Sequence, residues 1–298
     1  MFTGCGTALV TPFRRDLSLD EETLRRLVRR QIEAGINFLV PCGTTGESPT
    51  LTRAEHLRVV EITLEEGHGR VPVVGGAGGY NTAEVIELAR ELEHMGVSGI
   101  LSVTPYYNKP TQEGLYQHYK AIASAIRLPI VVYSVQGRTG VNVEPGTLAR
   151  LAQIENIVAV KEASGNIAQM ANVLHEVPAS FTVLSGDDAV TIPLMALGGR
   201  GIISVVANQI PGEMTQLAQA CLRGDFETAR KIQARYLPLM NVNFVESNPI
   251  PVKAAMALMG LLEPVYRLPM VPPSAASLAK IETVLEAAGL LRRVPVAG

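Results

Sequence analysis

Asn156–Gly165 reads NIVAVKEASG, and this stretch decides the fold. Ile157, Val158, Ala159 and Val160 form a short apolar run rich in β-branched residues. Such a run suits a parallel strand covered on both faces, with Lys161 directly after it. In an α/β fold, the carboxyl end of a strand is where chemistry is placed. A low-dielectric site disfavours an ammonium, and a neutral amine attacks a ketone to give a Schiff base. The competing reading is a lysine that leaves the core and snorkels to solvent, paired with Glu162. The stretch alone leaves both open.

Working outward, the same strand-then-helix pattern recurs on either side. Upstream strands are predicted at Gly6–Val10, Asn37–Pro41, Val71–Val74, Gly99–Val103 and Ile130–Tyr133, and downstream ones at Phe181–Leu184 and Gly201–Val206. Each precedes a segment of helical period. Leu24, Leu27, Val28 and Ile32 form one such face, and Val85, Leu88, Leu92 and Met95 another. Capping boxes are read at Ser18 with Glu21 and at Thr52 with Glu55, and Asn81 with Glu84 begins a further helix. Eight strand–helix pairs fit an α/β fold of the (β/α)8 TIM-barrel type better than an open sheet. The barrel, expected over residues 1–224, closes near Gly224. Residues 225–298 read as a C-terminal all-helical extension with helices at Phe226–Met240, Pro251–Leu262 and Ser274–Ala288. The tail is too small for much of a core, so its apolar faces must cover the barrel or a partner subunit.

The chain has 298 residues, 47% of them hydrophobic, which is enough for a large core. Its net charge of −2 gives no general attraction to nucleic acid or anionic membrane. Cys5, Cys42 and Cys221 are odd in number and widely spaced, which fits a reducing cytosol better than a disulfide framework or a zinc site. The start, MFTGCGTALVTPF, lacks signal-peptide character. The longest helical apolar stretch, Ala254–Leu262, is too short to span a bilayer.

The residues just past each strand are the candidates for chemistry. Gly43–Ser48, GTTGES, follows the second strand. Glycines flanking two threonines give a tight loop of exposed N–H groups and hydroxyls, suited to a small carboxylate or to an ordinary turn. Thr104-Pro105-Tyr106-Tyr107 follows the fourth strand, and its tyrosines suit core packing or an interface. Tyr133 ends the fifth strand, where a phenol can relay protons to a Schiff-base lysine or simply pack. Arg138 lies a few residues on, suited to bidentate carboxylate binding or to solvent. Gly75–Gly79 fails the GxGxxG spacing, and no Walker A, HExxH or GxSxG sequence occurs. His56, His68, His94, His118 and His175 make no convincing ligand set, so no catalytic metal is expected.

GTTGES at Gly43–Ser48, PYYNKP at Pro105–Pro110, YSVQGRTG at Tyr133–Gly140 and VAVKEASG at Val158–Gly165 together resemble the dihydrodipicolinate synthase family. That family sits within the N-acetylneuraminate lyase group of class I aldolase-like barrels. The similarity runs from about Thr3 to the last helices. Each motif alone is weak, but their occurrence together and in order is specific. The resemblance implies a lyase that condenses pyruvate with L-aspartate-4-semialdehyde to 4-hydroxy-tetrahydrodipicolinate, on the route to lysine and diaminopimelate. It implies that Lys161 forms the imine, so that no cofactor is needed. Tyr133 would pass protons with Thr44 and with a Tyr107 reaching in from the neighbouring subunit. Thr45 would hold the pyruvate carboxylate and Arg138 that of the aldehyde, with Gly186 and Ile203 lining the pocket through backbone groups. A cytoplasmic homotetramer built as a dimer of dimers is the family expectation.

The chain departs from the family pattern in places. The family usually has Asn and Pro where this chain has Ser134 and Gln136, and losing the proline frees the backbone before Arg138. A lysine-effector pocket maps onto Ser48, His56, Glu84 and Tyr106, but Tyr80 replaces the asparagine of lysine-sensitive members. Rival readings are another pyruvate-dependent aldolase, acting on sialic or keto-deoxy-sugar acids, and a non-catalytic barrel binding a small acid as a regulator. The GRTG arginine and the GTTGES loop favour the synthase over the first. Lys161, Tyr133, Thr44 and Tyr107 occurring together disfavour the second.

Overall fold

The computed structural model describes residues 2–291. Strands and helices alternate along the chain. β1 (Gly4–Ala8) leads to α1 (Glu21–Glu33), β2 (Phe38–Val40) to α2 (Arg53–Gly67), and β3 (Val74–Gly76) to α3 (Thr82–Met95). β4 (Gly99–Val103) leads to α4 (Gln112–Ala125), and β5 (Ile130–Ser134) to a single helical turn, α5 (Gln136–Thr139), and then α6 (Pro145–Leu151). β6 (Ile157–Glu162) leads to α7 (Ile167–Glu176), β7 (Thr182–Ser185) to α8 (Thr191–Ala196), and β8 (Gly201–Ser204) to α9 (Pro211–Leu222). The tail adds α10 (Phe226–Val242), α11 (Ile250–Leu258) and α12 (Ala275–Ala288).

The eight strands run in the order β2-β1-β8-β7-β6-β5-β4-β3, with parallel pairing throughout. The two ends of that order meet. Leu39 bridges Val73 in parallel, the Leu39 N–H donates to the Pro72 carbonyl at 2.9 Å, and the Gly76 N–H donates to that of Pro41 at 3.0 Å. The sheet is therefore closed as a barrel, and closure leaves no edge to protect.

Alternation along each strand divides the side chains between two layers. Ala8, Phe38, Val40, Val74, Leu101, Val131, Tyr133, Ala159, Leu184 and Ile203 fill the barrel interior. Cys5, Leu39, Ile100, Val132, Val160, Val183 and Ile202 pack outward against the helices. Both layers are apolar, which is why the strands read as continuous hydrophobic runs.

Three local expectations are corrected. β3 begins at Val74, not Val71, and runs on through Gly75 and Gly76. The neighbouring backbone needs the room: a Cβ on Gly76 would lie 2.0 Å from the Cys42 carbonyl oxygen. Helix α1 is capped by Asp20, whose carboxylate accepts from the Thr23 N–H at 3.1 Å, and not by Ser18, whose hydroxyl donates to Asp16 at 2.6 Å. Lys161 lies inside β6 and not after it, paired in register with Tyr133. The capping box of Thr52 with Glu55 forms as read.

The tail packs on the barrel. Ala229, Tyr236, Leu239, Met240, Ala255, Ile281 and Leu285 join the same apolar cluster as Met214 and Leu217 of α9. Val252 and Met256 of α11 reach in to meet Val10, Leu27 and Val205. Arg267 fastens the tail to the barrel rim, donating to the Glu55 carboxylate at 2.6 and 2.9 Å and to the Leu17 and Thr50 carbonyls. Among the described residues no helix is long and apolar enough to cross a membrane.

Candidate active site

Period-two alternation turns Lys161 to the same side as Ala159, into the barrel. Lys161 is 4% exposed, and its Nζ sits 4.3 Å from the centroid of the Tyr133 ring. The position decides between the two readings of the strand. Glu162 points the other way, where its carboxylate accepts from the Ser164 N–H and from the Gln169 amide at 2.9 Å. Among the described residues no carboxylate pairs with the Lys161 amine. Turned into the barrel with no carboxylate in reach, the amine is free to meet a carbonyl carbon there, which is the placement a Schiff-base nucleophile needs.

Gly186 gives the lysine its space. It follows β7, and its N–H donates to the Glu162 carbonyl at 2.7 Å. A Cβ there would lie 2.6 Å from the Ala163 Cβ and 3.1 Å from Lys161 Cε. Ile203 lies on β8, opposite Gly6 of β1, and is fully buried in the interior layer.

Two adjoining cavities open at the carboxyl ends of the strands. The inner one is lined by Thr44, Ser48, His56, Tyr106 and Tyr133, with Gly76 to Gly78 forming one wall. The outer one shares Thr44, Ser48 and Tyr106, and adds Glu47, Val135, Arg138, Thr139 and Asn248. The Gly43–Ser48 loop lies between them. It turns on itself, with the Gly46 N–H donating to the Gly43 carbonyl and the Glu47 N–H to that of Thr44, both at 3.1 Å. Thr45 is buried and its hydroxyl accepts from the Asn248 amide at 2.9 Å. Arg138 lies on α5, where its own N–H donates to the Val135 carbonyl at 3.0 Å, and its guanidinium donates to the Asn248 carbonyl at 3.2 Å. The segment freed of its proline thus closes as a helical turn. Ser134 joins a buried network: its hydroxyl donates to Asn142 at 3.2 Å, and Asn142 and Gln169 exchange amide hydrogen bonds.

Tyr107 stands apart from these cavities. Its backbone is left-handed, with φ 68°, and its side chain is 91% exposed. Of the residues mapped to an effector pocket, Ser48, His56 and Tyr106 line the inner cavity. Tyr80 is half exposed and meets the Tyr106 ring edge-on at 5.2 Å. Glu84 accepts from the Asn81 side chain at 2.9 Å, at the start of its own helix. Burial pushes the His56 imidazole down to about 4, and its Nε2 is 2.9 Å from the Gly76 carbonyl oxygen, so the ring is neutral at pH 7. Among the described residues no group of three or more His, Cys, Asp or Glu could hold a metal ion.

A family model described as the Dihydrodipicolinate synthetase family matches residues 1–288. The chain belongs to this family. Its sequence is 56% identical to the 4-hydroxy-tetrahydrodipicolinate synthase of Koribacter versatilis, over 99% of this chain and 98% of that one. Its fold superposes on the crystal structure of dihydrodipicolinate synthase from Thermotoga maritima with a TM-score of 0.96 and 48% identity, covering 98% of this chain and 100% of the other. The chloride-inhibited enzyme from Acinetobacter baumannii, crystallised with pyruvate, matches with a TM-score of 0.96 and 41% identity over 98% and 100% of the two chains.

The sequence reading missed two residues of the tail that back the loop, Asn248 and the fully buried Lys253, and gave Glu47 no role. A signal was present. Lys253 is the sole charge in the helix IPVKAAMAL. A lone charge in an otherwise apolar helix has to find a buried partner.

Proposed function

We propose that the chain catalyses the condensation of pyruvate with L-aspartate-4-semialdehyde to 4-hydroxy-tetrahydrodipicolinate, in lysine and diaminopimelate synthesis. The observation that carries this reading is the unpaired Lys161 amine inside the barrel, 4.3 Å from the Tyr133 ring, in a chain of this family. The amine attacks the pyruvate ketone and water leaves, giving an imine. Loss of a methyl proton gives the enamine, which attacks the aldehyde carbon. The amino group of the incoming substrate then displaces Lys161 and closes the ring. No cofactor is required, because the imine itself draws off the electrons.

The proton steps fall to Tyr133, with Thr44 beside it in the inner cavity. Tyr107 completes the relay in a neighbouring subunit. Its exposure and left-handed backbone support that role, since such strain costs on the order of 1–3 kcal/mol and persists where function requires it. Thr45 and the loop's N–H groups take the pyruvate carboxylate. Arg138 takes the aldehyde's carboxylate in the outer cavity. Gly186 and Ile203 line the pocket, and Ser48, His56, Tyr80, Glu84 and Tyr106 form the candidate lysine-effector site. The working assembly is a cytoplasmic homotetramer. Incubation with pyruvate, reduction with borohydride and mass analysis of the labelled peptide tests the central step. A pyruvyl adduct on Lys161 is expected, and its absence refutes the mechanism. A coupled assay offering aspartate semialdehyde and a sugar aldehyde in parallel then fixes the second substrate.

A further inference from the structure

Glu47 is an anomaly in the substrate-binding loop. It holds a left-handed backbone, with φ 56°, which a residue with a side chain adopts reluctantly. Its carboxylate turns away from the loop and accepts from the Lys253 ammonium of α11 at 2.6 Å. The two side chains are 1% and 0% exposed. The amine also lies 4.4 Å from the centroid of Phe13 and 5.4 Å from that of Tyr266. Two residues upstream, the Thr45 hydroxyl accepts from Asn248, which belongs to the same tail segment. The tail therefore grips alternate residues of the loop, 45 and 47, on either side of Gly46. The Gly46 carbonyl is held from the barrel side by the Thr11 hydroxyl at 2.7 Å.

A buried ion pair is a poor way to gain stability. Desolvating both charges offsets their attraction, and an apolar pair of similar volume often holds a fold as well or better. Here the pair even leaves Glu47 Oε2 buried without a partner. What an ion pair supplies and an apolar contact does not is a fixed distance and direction, and the group so fixed lies next to the residues read as the pyruvate-carboxylate cradle.

We propose that Lys253, acting through Glu47, and Asn248, acting through Thr45, are positioning residues that hold the Gly43–Ser48 loop in the geometry that receives the pyruvate carboxylate. Neither touches the reacting atoms. The C-terminal helices thereby set the first substrate's affinity from outside the barrel. The proposal rests on the functional reading above, that the loop receives that carboxylate and Lys161 forms the imine.

The experiment measures borohydride trapping of Lys161 across pyruvate concentrations, steady-state kinetics for both substrates, and thermal melting. The variants are Glu47→Leu with Lys253→Met, which replaces the pair by apolar side chains, and Asn248→Ala, which removes the second tie without leaving a buried charge. Lys253→Met alone would strand a buried carboxylate and report only misfolding. For both variants the expected result is a half-saturating pyruvate concentration raised about tenfold or more, since misplaced binding groups cost up to about 10²-fold. The half-saturating pyruvate concentration should change by more than the aldehyde KM rises or kcat falls, because the loop geometry is lost first at the pyruvate carboxylate, while Glu47 and Asn248 only border the outer cavity read as the aldehyde site. Glu47→Gln combined with Lys253→Gln restores a directed hydrogen bond between the two positions without stranding a charge, and should recover most of the affinity. Folded variants with native pyruvate saturation, or with kcat and both KM values impaired alike, overturn the proposal. Should the parent protein itself give no adduct on Lys161, the functional reading fails and this inference falls with it. A parent that traps pyruvate beside variants that saturate normally overturns the positioning role alone.

Discussion

Gly186→Ala should slow imine formation by crowding the nucleophile. The added Cβ would sit 2.6 Å from the Ala163 Cβ and 3.1 Å from Lys161 Cε. Carbon atoms pack best at about 3.5–4.0 Å, so the first contact is too close by about 1 Å and the second by about half that. Overpacking of this kind costs typically about 1–3 kcal/mol. The strain has two outlets. The Ala163 backbone can shift, which loosens the Gly186–Glu162 hydrogen bond of 2.7 Å, or the lysine stem can move away from the Tyr133 ring. A displacement of a few tenths of an ångström in the nucleophile, given that about 1 Å can cost 10²-fold, predicts trapping slowed roughly tenfold. The assay is the time course of pyruvyl adduct on Lys161, read by intact mass after borohydride reduction, with a melting curve alongside. Gly186→Ala combined with Ala163→Gly removes the severe collision and leaves the milder one. That double variant should regain its melting temperature but only part of its rate. Native trapping kinetics together with native melting in the single variant would refute the reasoning, because the lysine would then not depend on the space Gly186 leaves.

Tyr107→Phe should lower kcat by about 10²–10⁴-fold while adduct formation survives, and mixing it with Tyr133→Phe should restore activity in hybrid dimers. Absence of recovery after verified subunit exchange counts against a shared site. Arg138→Ala should lose at least about tenfold in kcat/KM for the aldehyde, as removal of one partner of a desolvated charge pair costs about 2–5 kcal/mol, and Arg138→Lys should lose less. Normal aldehyde kinetics with impaired adduct formation would move Arg138 to the pyruvate site. His56 and His118 are both held down to about 4 by burial, from an ordinary value of 6.5. Between those values the unfolded chain takes protons the folded chain refuses, so each ring contributes a loss of stability as pH falls, up to about 1.4 kcal/mol per unit. Asp188, pushed up to about 6 by burial, acts in the opposite sense, so the measurement is a difference. Urea unfolding at pH 7 and pH 4.5 should show a smaller drop for His118→Gln than for the parent, and equal drops would mean that His118 protonates freely in the folded state.

The amino-acid order by itself determined the barrel. Runs such as Ile157–Val160, apolar on both alternating faces, can only be strands buried between a core and a shell of helices, and eight of them joined by helices fit a closed ring. It also placed Lys161, Tyr133, Thr44 and Arg138 at one end, because every parallel strand presents its carboxyl end to the same rim. The resemblance carried by GTTGES and VAVKEASG then gave those residues their roles. Local signals were weaker guides where backbone meets backbone. Val71–Val74 reads as the third strand, yet β3 runs from Val74 through Gly75 and Gly76, because a close approach between strands is a contact between residues far apart in sequence. Only the tertiary structure decided that Glu162 turns outward and leaves the lysine unpaired, and that Lys253 closes on Glu47, 206 residues away. Periodicity reports which face of its own element a residue occupies. What waits on that face belongs to another segment of the chain, and folding alone brings the two together.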